Sequence, residues 1–271
     1  MAPAAIRSRA NPLLRRLRRV RADGGRADGL ALLEGPKLVA EAIGAGVEIV
    51  EAAASPRGRE RAAPLLDALE GRGTRVRQVD EALLASFSQA ETSQGLLALA
   101  RRPRFEEASL YAGLPLVVVA VAIQNPGNLG ALLRTAEAAG ASGALLTTGC
   151  ADPFSWKALR GAMGSAFRLP HLTGLTLADA LRRLQARGLA LAATATSGGT
   201  PYERADLARP LALLFGSEAA GLPGELVAQA DLVLTIPLAP NVESLNVGVA
   251  AGILLFEAAR QRRSLAAAVP G

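Results

Sequence analysis

Several kinds of side chain that exchange protons, attack carbon or bind metal are scarce in this 271-residue chain. Cys150 is the only cysteine and His171 the only histidine, so a single chain can build neither an internal disulfide nor a His/Cys zinc cluster. A Ser-His-Asp or Cys-His triad would have to run through His171 alone, which disfavours hydrolase chemistry; no metal site is expected. Gly-x-Gly-x-x-Gly after a strand, the Walker A sequence and the Gly-x-Ser-x-Gly elbow are all absent, which disfavours dinucleotide dehydrogenases and P-loop enzymes.

Three polar clusters remain, each just beyond an apolar run. Ligands of open α/β sheets bind at the carboxyl ends of strands, so these clusters are the candidate site. The first is Gln124 to Gly130, leading into a helix through Gly140. There Asn128 is the expected N-cap, and Leu129, Leu132, Leu133 and Ala136 form the buried stripe. Arg134 sits inside that helix and alone would be explained by a surface ion pair with Glu137 at i,i+3. The second cluster, Phe215 to Pro223, carries Gly216, which permits close backbone approach, and Glu218 in the loop leaving an apolar strand. The third runs from Ile236 to Asn246; its simplest role is Ser244 capping the last helix.

The elements that must position these clusters are readable from periodicity. After a helix at 11–22, strands at 30–33, 47–53, 74–79 and 95–100 alternate with helices at 36–43, 58–69 and 81–87, a small layered α/β unit. Val117 to Ile123 opens a second unit with the β-branched run of a strand covered on both faces. Further strands are expected at 143–147, 189–196, 211–215 and 232–236, and helices at 128–139, 155–166, 177–187, 223–230 and 245–263. Five strands alternating with five helices predict a parallel sheet. The expected divisions are 1–26, a basic arm and helix; 27–104, a first domain; 105–114, a linker; and 115–271, a second domain.

Charge is unevenly placed. Residues 1–26 hold eight arginines and one aspartate, whereas residues 105–271 hold twelve basic and twelve acidic residues, and the whole chain nets +6. A basic arm ahead of a neutral body points to a polyanionic partner, with Arg15, Arg16, Arg18 and Arg19 as candidate phosphate contacts. Nine aromatic residues leave little capacity for base stacking, so recognition through shape and phosphate is expected. The longest apolar run, Leu114 to Ile123, is too short for a membrane span, and Met1 to Arg21 has no apolar h-region. The expectation is a cytoplasmic protein with no membrane partner.

Together the three clusters resemble the SpoU (TrmH) family of S-adenosylmethionine-dependent RNA ribose 2′-O-methyltransferases, in the SPOUT superfamily. Asn128 to Ala136 resembles the family's first motif, Phe215 to Leu222 its second and Ile236 to Val247 its third. Asp152-Pro153 and Arg160 to Phe167 are also similar to family sequence. In the first unit, Asn11-Pro12-Leu13, Glu34-Gly35-Pro36 and Gln94 to Leu97 resemble the family's substrate-binding domain, whose fold is like a small ribosomal RNA-binding protein. The chain departs from the pattern at Asn125, where aspartate is common, at Ser217, where asparagine is common, at Ala219-Ala220 and at Gly248.

The resemblance implies an α/β fold with a C-terminal SPOUT parallel sheet closed by a trefoil knot. It also implies a homodimer with shared active sites and S-adenosylmethionine held mainly through backbone at Gly216, Ile236 and Leu245, with Thr194 and Ala195 closing the pocket. The implied reaction is methyl transfer to a ribose 2′-hydroxyl, most naturally of large-subunit ribosomal RNA. Arg134 is assigned to the hydroxyl or adjacent phosphate; a guanidinium stays protonated in proteins, so it acts as a hydrogen-bonding cation rather than a base. Asn128 and Glu218 would orient Arg134 or the ribose, and Ser244 with Asn246 would fix the third loop and the substrate. Two other readings are a nonenzymatic RNA-binding or ribosome-assembly factor on the same fold and a transfer-RNA 2′-O-methyltransferase.

Overall fold

The computed structural model describes residues 5–88 and 92–268. They form two compact units, Met1–Arg104 with Phe154–Phe167, and Phe105–Pro153 with Arg168–Gly271. The second domain expected at 115–271 therefore gives up Phe154–Phe167, which packs with the first unit.

In chain order the first unit runs α1 (Pro12–Asp23), β1 (Leu30–Glu34), α2 (Pro36–Gly44), β2 (Ile49–Ala54), α3 (Pro56–Arg61), α4 (Ala63–Gly71), β3 (Arg75–Gln78), α5 (Glu81–Ala85) and β4 (Leu96–Arg101). Its sheet has the order β1-β4-β2-β3, with β4 antiparallel to both neighbours and β2 parallel to β3. The helix expected over 58–69 is two helices. Pro64 has no N–H to continue the ladder, and the chain breaks at Ala62.

The basic N-terminal segment is not a free arm. Asn11 Oδ1 accepts from Leu13 N at 3.0 Å and starts α1, whose Leu13, Leu14, Leu17 and Val20 recur at helical spacing. They are buried in one cluster with Leu30, Leu32, Phe87 and Leu99. Ahead of the helix, Ile6 N donates to Gln78 O and Asp80 N to Ile6 O. Burying a leucine stabilises by about 1.5–3 kcal/mol, so α1 belongs to this core. Its charges lie on the other face: Arg15, Arg18 and Arg19 are exposed and Arg16 is half-buried.

The second unit and the inserted segment comprise β5 (Leu116–Ala120), α6 (Pro126–Ala138), β6 (Gly143–Thr147), α7 (Trp156–Ala162), α8 (Ser165–Arg168), β7 (His171–Leu175), α9 (Leu177–Ala186), β8 (Ala190–Thr194), β9 (Thr200–Pro201), β10 (Leu211–Phe215), α10 (Gly224–Gln229), β11 (Leu232–Thr235) and α11 (Val247–Ala268). The sheet is parallel throughout in the order β7-β6-β5-β10-β8-β11-β9. Every residue of β5, β6 and β10 is buried, as a sheet covered on both faces requires.

Seven strands replace the five expected. Periodicity could not find β7, in which only His171 is fully buried and Gly174 interrupts, or β9, which has two residues and ends in proline. The helix expected over 155–166 splits into α7 and α8 where Met163 (φ 47°) and Gly164 (φ 93°) take left-handed backbone. The expected linker is partly structured. A 3₁₀ turn at Glu107–Tyr111 buries Leu110, whose carbonyl accepts from Ser142 Oγ at 2.6 Å.

Candidate active site

Strands β5, β10, β8 and β11 are consecutive neighbours and all parallel, so their carboxyl-end loops emerge side by side. The three polar clusters leave β5, β10 and β11, and residues 194–196 leave β8. A cavity of about 590 Å³ lies among the last three of these segments and the start of α11. Thr194, Ala195, Gly216, Glu218, Ile236, Ser244, Leu245 and Asn246 all line it.

Asn128 joins this group through hydrogen bonds. Its Nδ2 donates to Glu218 Oε1, and its Oδ1 accepts from Asn246 Nδ2 at 3.1 Å. Asn246 Oδ1 accepts from Gly248 N at 2.9 Å, capping the last helix. One side-chain network thus ties the three clusters together, although its members lie 90 and 118 residues apart.

Two capping expectations are corrected. Asn125, not Asn128, caps α6, its Oδ1 accepting from Gly127 N at 2.9 Å and Asn128 N at 3.3 Å. Asparagine supplies the same acceptor oxygen as aspartate, so the departure at Asn125 keeps the cap and frees Asn128 for Glu218. Ser244 does not cap α11; Asn246 does.

The second loop closes on itself. Gly221 N donates to Ser217 O at 2.8 Å and Ala220 N to Ser217 Oγ at 3.3 Å, a turn that serine supports as well as asparagine. A Cβ on Gly216 would overlap the Gly221 carbonyl and lie 2.5 Å from Leu222 N. Gly216 is therefore required by the loop's own return. Thr194 Oγ1 donates to Leu214 O at 2.9 Å, anchoring the end of β8 to β10. Gly248 is equally tight, since a Cβ there would lie 3.2 Å from both Ala131 Cβ and Asn246 Oδ1.

Arg134 does not line the cavity of its own chain. It lies six residues beyond Asn128 on α6, about 9 Å along the axis and on a different face. Glu137 is not its partner: that carboxylate is bonded by Arg168, at 2.6 Å from Nε. The Arg134 guanidinium is exposed, with no hydrogen bond or ion pair among the described residues. Arg15, Arg16, Arg18 and Arg19 lie on α1 and take no part in this cavity; Arg19 pairs with Asp28 at 2.6 Å and Arg18 lies over the Phe87 ring at 5.7 Å.

Neither His171 nor Cys150 is presented for catalysis. Burial pushes the His171 pKa down, and its Nδ1 lies 2.9 Å from Leu169 O. Burial pushes the Cys150 thiol up, and its Sγ donates to Ala120 O. Sequence reasoning missed Leu222, Val227, Leu234, Leu238 and Leu254 in the cavity wall. Apolar residues in strands and helices give no signal that separates a cavity wall from a core.

The sequence profile described as the SpoU rRNA Methylase family matches residues 115–256, and the one described as RNA 2′-O ribose methyltransferase substrate binding matches residues 32–106. The chain belongs to the SpoU rRNA methylase family. It is 35% identical over 270 residues to an uncharacterized tRNA/rRNA methyltransferase of Synechocystis sp., covering 99% of this chain and 97% of that one. It is 36% identical over 184 residues to the Bacillus subtilis 23S rRNA (guanosine(2553)-2′-O)-methyltransferase RlmP, covering 68% of this chain and 72% of the relative. The AdoMet-bound rRNA methyltransferase of Sinorhizobium meliloti superposes with a TM-score of 0.82 at 31% identity, covering 95% of this chain and 97% of that structure.

Proposed function

We propose that the chain is an S-adenosylmethionine-dependent RNA methyltransferase that modifies a ribose 2′-hydroxyl of large-subunit ribosomal RNA. The observation carrying this reading is the Glu218–Asn128–Asn246 network, which holds three family motifs around one cavity. The cavity suits the cofactor by size, being within the roughly 300–1,000 Å³ of small-molecule sites, and by lining, with apolar walls beside backbone polar groups and the Glu218 carboxylate. Gly216, Ile236 and Leu245 would hold it through backbone, with Thr194 and Ala195 at the β8 end. When bound, S-adenosylmethionine supplies an electrophilic methyl group on a sulfonium.

A ribose hydroxyl is a weak nucleophile at neutral pH, so the protein must position it and stabilise its developing negative charge. Arg134 would do this as a hydrogen-bonding cation on the hydroxyl or its neighbouring phosphate. Glu218 and Asn128 would orient the ribose, and Ser244 with Asn246 would hold the third loop against it. Because Arg134 is exposed, unpartnered and absent from its own chain's cavity, it would serve the site of a second copy. A homodimer is also supported by Val249 and Phe256 on α11, which are 52% and 48% exposed. The loops after β10 and β11 would form the trefoil knot of the superfamily. RNA would meet the exposed arginines of α1. The proposed location is the cytoplasm, where ribosomes are; among the described residues no helix is long and apolar enough to cross a membrane.

The test is incubation with labelled S-adenosylmethionine and separate ribosomal and transfer RNA pools, followed by mapping of the modified ribose. Label on a 2′-oxygen of large-subunit RNA is the expected result. Label confined to transfer RNA overturns the substrate, and no label on either pool with the cofactor bound overturns the enzyme.

A further inference from the structure

Three family-like segments are not used by the methyl-transfer cavity: Glu34-Gly35-Pro36, Gln94 to Leu97 and Arg160 to Phe167. They meet within the first unit at a separate cleft of about 200 Å³, lined by Glu34, Lys37, Gln94, Trp156 and Arg160 with apolar side chains beneath. We propose that this cleft receives one unpaired base of the RNA substrate, stacked on the Arg160–Trp156 pair. The proposal rests on the reading that the chain acts on RNA.

The volume is below the usual range for cofactors and suits a single planar group. The Arg160 guanidinium lies over the Trp156 ring at 4.7 Å, and Trp156, the chain's only tryptophan, is held in place by its Nε1 donating to Glu34 Oε2 at 2.8 Å. Arg160 is exposed and pairs with no carboxylate among the described residues, so its outer face is a guanidinium plane of the kind on which splayed RNA bases stack. Gln94 offers a donor and an acceptor for a base edge; its amide is exposed and makes no hydrogen bond among the described residues. It lies over Gly35, where φ is 89° and a Cβ would stand 3.1 Å from Gln94 Cδ. Glycine there permits the backbone turn and leaves the amide its place.

Charge completes the site. Lys37 and Lys157 are the chain's only lysines; both are exposed, and neither has an ion pair among the described residues. Lys37 lines the cleft and Lys157 follows Trp156 on α7. Compact ammonium groups beside a stacking platform give a nucleotide both a base site and phosphate contacts.

The single tryptophan makes the test direct. The full chain is titrated, following indole fluorescence, with a short unpaired oligoribonucleotide, an abasic strand of the same length and a blunt duplex of the same sequence at one salt concentration. Saturable quenching by the unpaired strand, absent with the abasic strand and the duplex, is expected. Arg160→Ala and Gln94→Ala, both at exposed positions, should weaken the unpaired strand, with Arg160→Ala costing about 5- to 150-fold, while S-adenosylmethionine binding by calorimetry stays unchanged. No quenching by the unpaired strand, equal quenching by the abasic strand, or wild-type affinity in both variants overturns the proposal. The labelled-methyl assay separates it from the reading beneath it. Quenching without methylation leaves the cleft and removes the enzyme, and methylation without quenching removes the cleft alone.

Discussion

Replacing Gly216 by alanine tests whether the loop after β10 must fold back tightly on itself to make the cofactor cavity. The added Cβ would overlap the Gly221 carbonyl and approach Leu222 N to 2.5 Å, and these are backbone atoms with no rotamer to yield. Overpacking of this kind costs typically about 1–3 kcal/mol, and backbone overlap places Gly216→Ala at the upper end. The cheapest relief is to open the Ser217–Gly221 turn, which is an exposed bridge rather than core. A binding-competent loop disfavoured by about 3 kcal/mol weakens S-adenosylmethionine by about 100-fold, at 1.4 kcal/mol per decade. Gly221→Ala is the internal control: its Cβ would meet nothing, and only the left-handed backbone (φ 64°) costs about 1–2 kcal/mol, or some 5- to 30-fold. Calorimetric titration with the cofactor, beside melting curves without it, reads both effects. Affinity of Gly216→Ala within threefold of the unaltered protein, or a larger loss in Gly221→Ala, would refute the reasoning.

Arg134→Ala should abolish methylation while leaving cofactor affinity nearly intact. Mixed with an inactive Gly216→Ala variant it should recover about a quarter of full activity, because half the dimers are mixed and each of those holds one intact site. No recovery on mixing would place Arg134 outside a partner's site. On α1, replacing Arg15, Arg16, Arg18 and Arg19 by glutamine should flatten the salt dependence of RNA binding by about 0.7–0.9 logarithmic units for each phosphate no longer neutralised, without lowering the melting temperature. Simple deletion of residues 1–21 cannot make this measurement, since it also removes Leu14 and Leu17 from the core, each worth about 2–5 kcal/mol by truncation. An unchanged salt slope in the glutamine variant would exclude α1 from the RNA surface.

Much of the parallel sheet was legible because its central strands are buried on both faces and are written as unbroken apolar runs: β5, β6 and β10 all lie at or within one residue of their expected ranges. The edge strands β7 and β9 were not, because a strand with one wet side or with proline carries no such run. Helix ends failed where the deciding residue acts through its neighbours. Asn125 and Asn128 are equally good caps in one dimension, and only the meeting with Glu218 separates their roles.

The linear chain by itself determined the inventory. It set the lack of a second histidine or cysteine, the three polar clusters at strand ends, the glycine at 216 and the helical spacing of leucines under the arginines of α1, because composition and local periodicity depend on neighbours a few residues away. Tertiary structure alone decided what those pieces do to one another. It bound α1 into a core instead of leaving it an arm, joined Asn128 to Glu218 and Asn246, kept Arg134 out of its own cavity and brought Trp156 onto Glu34. Such pairings span 90 residues or more, and their geometry comes from strand order and packing, which no local pattern encodes.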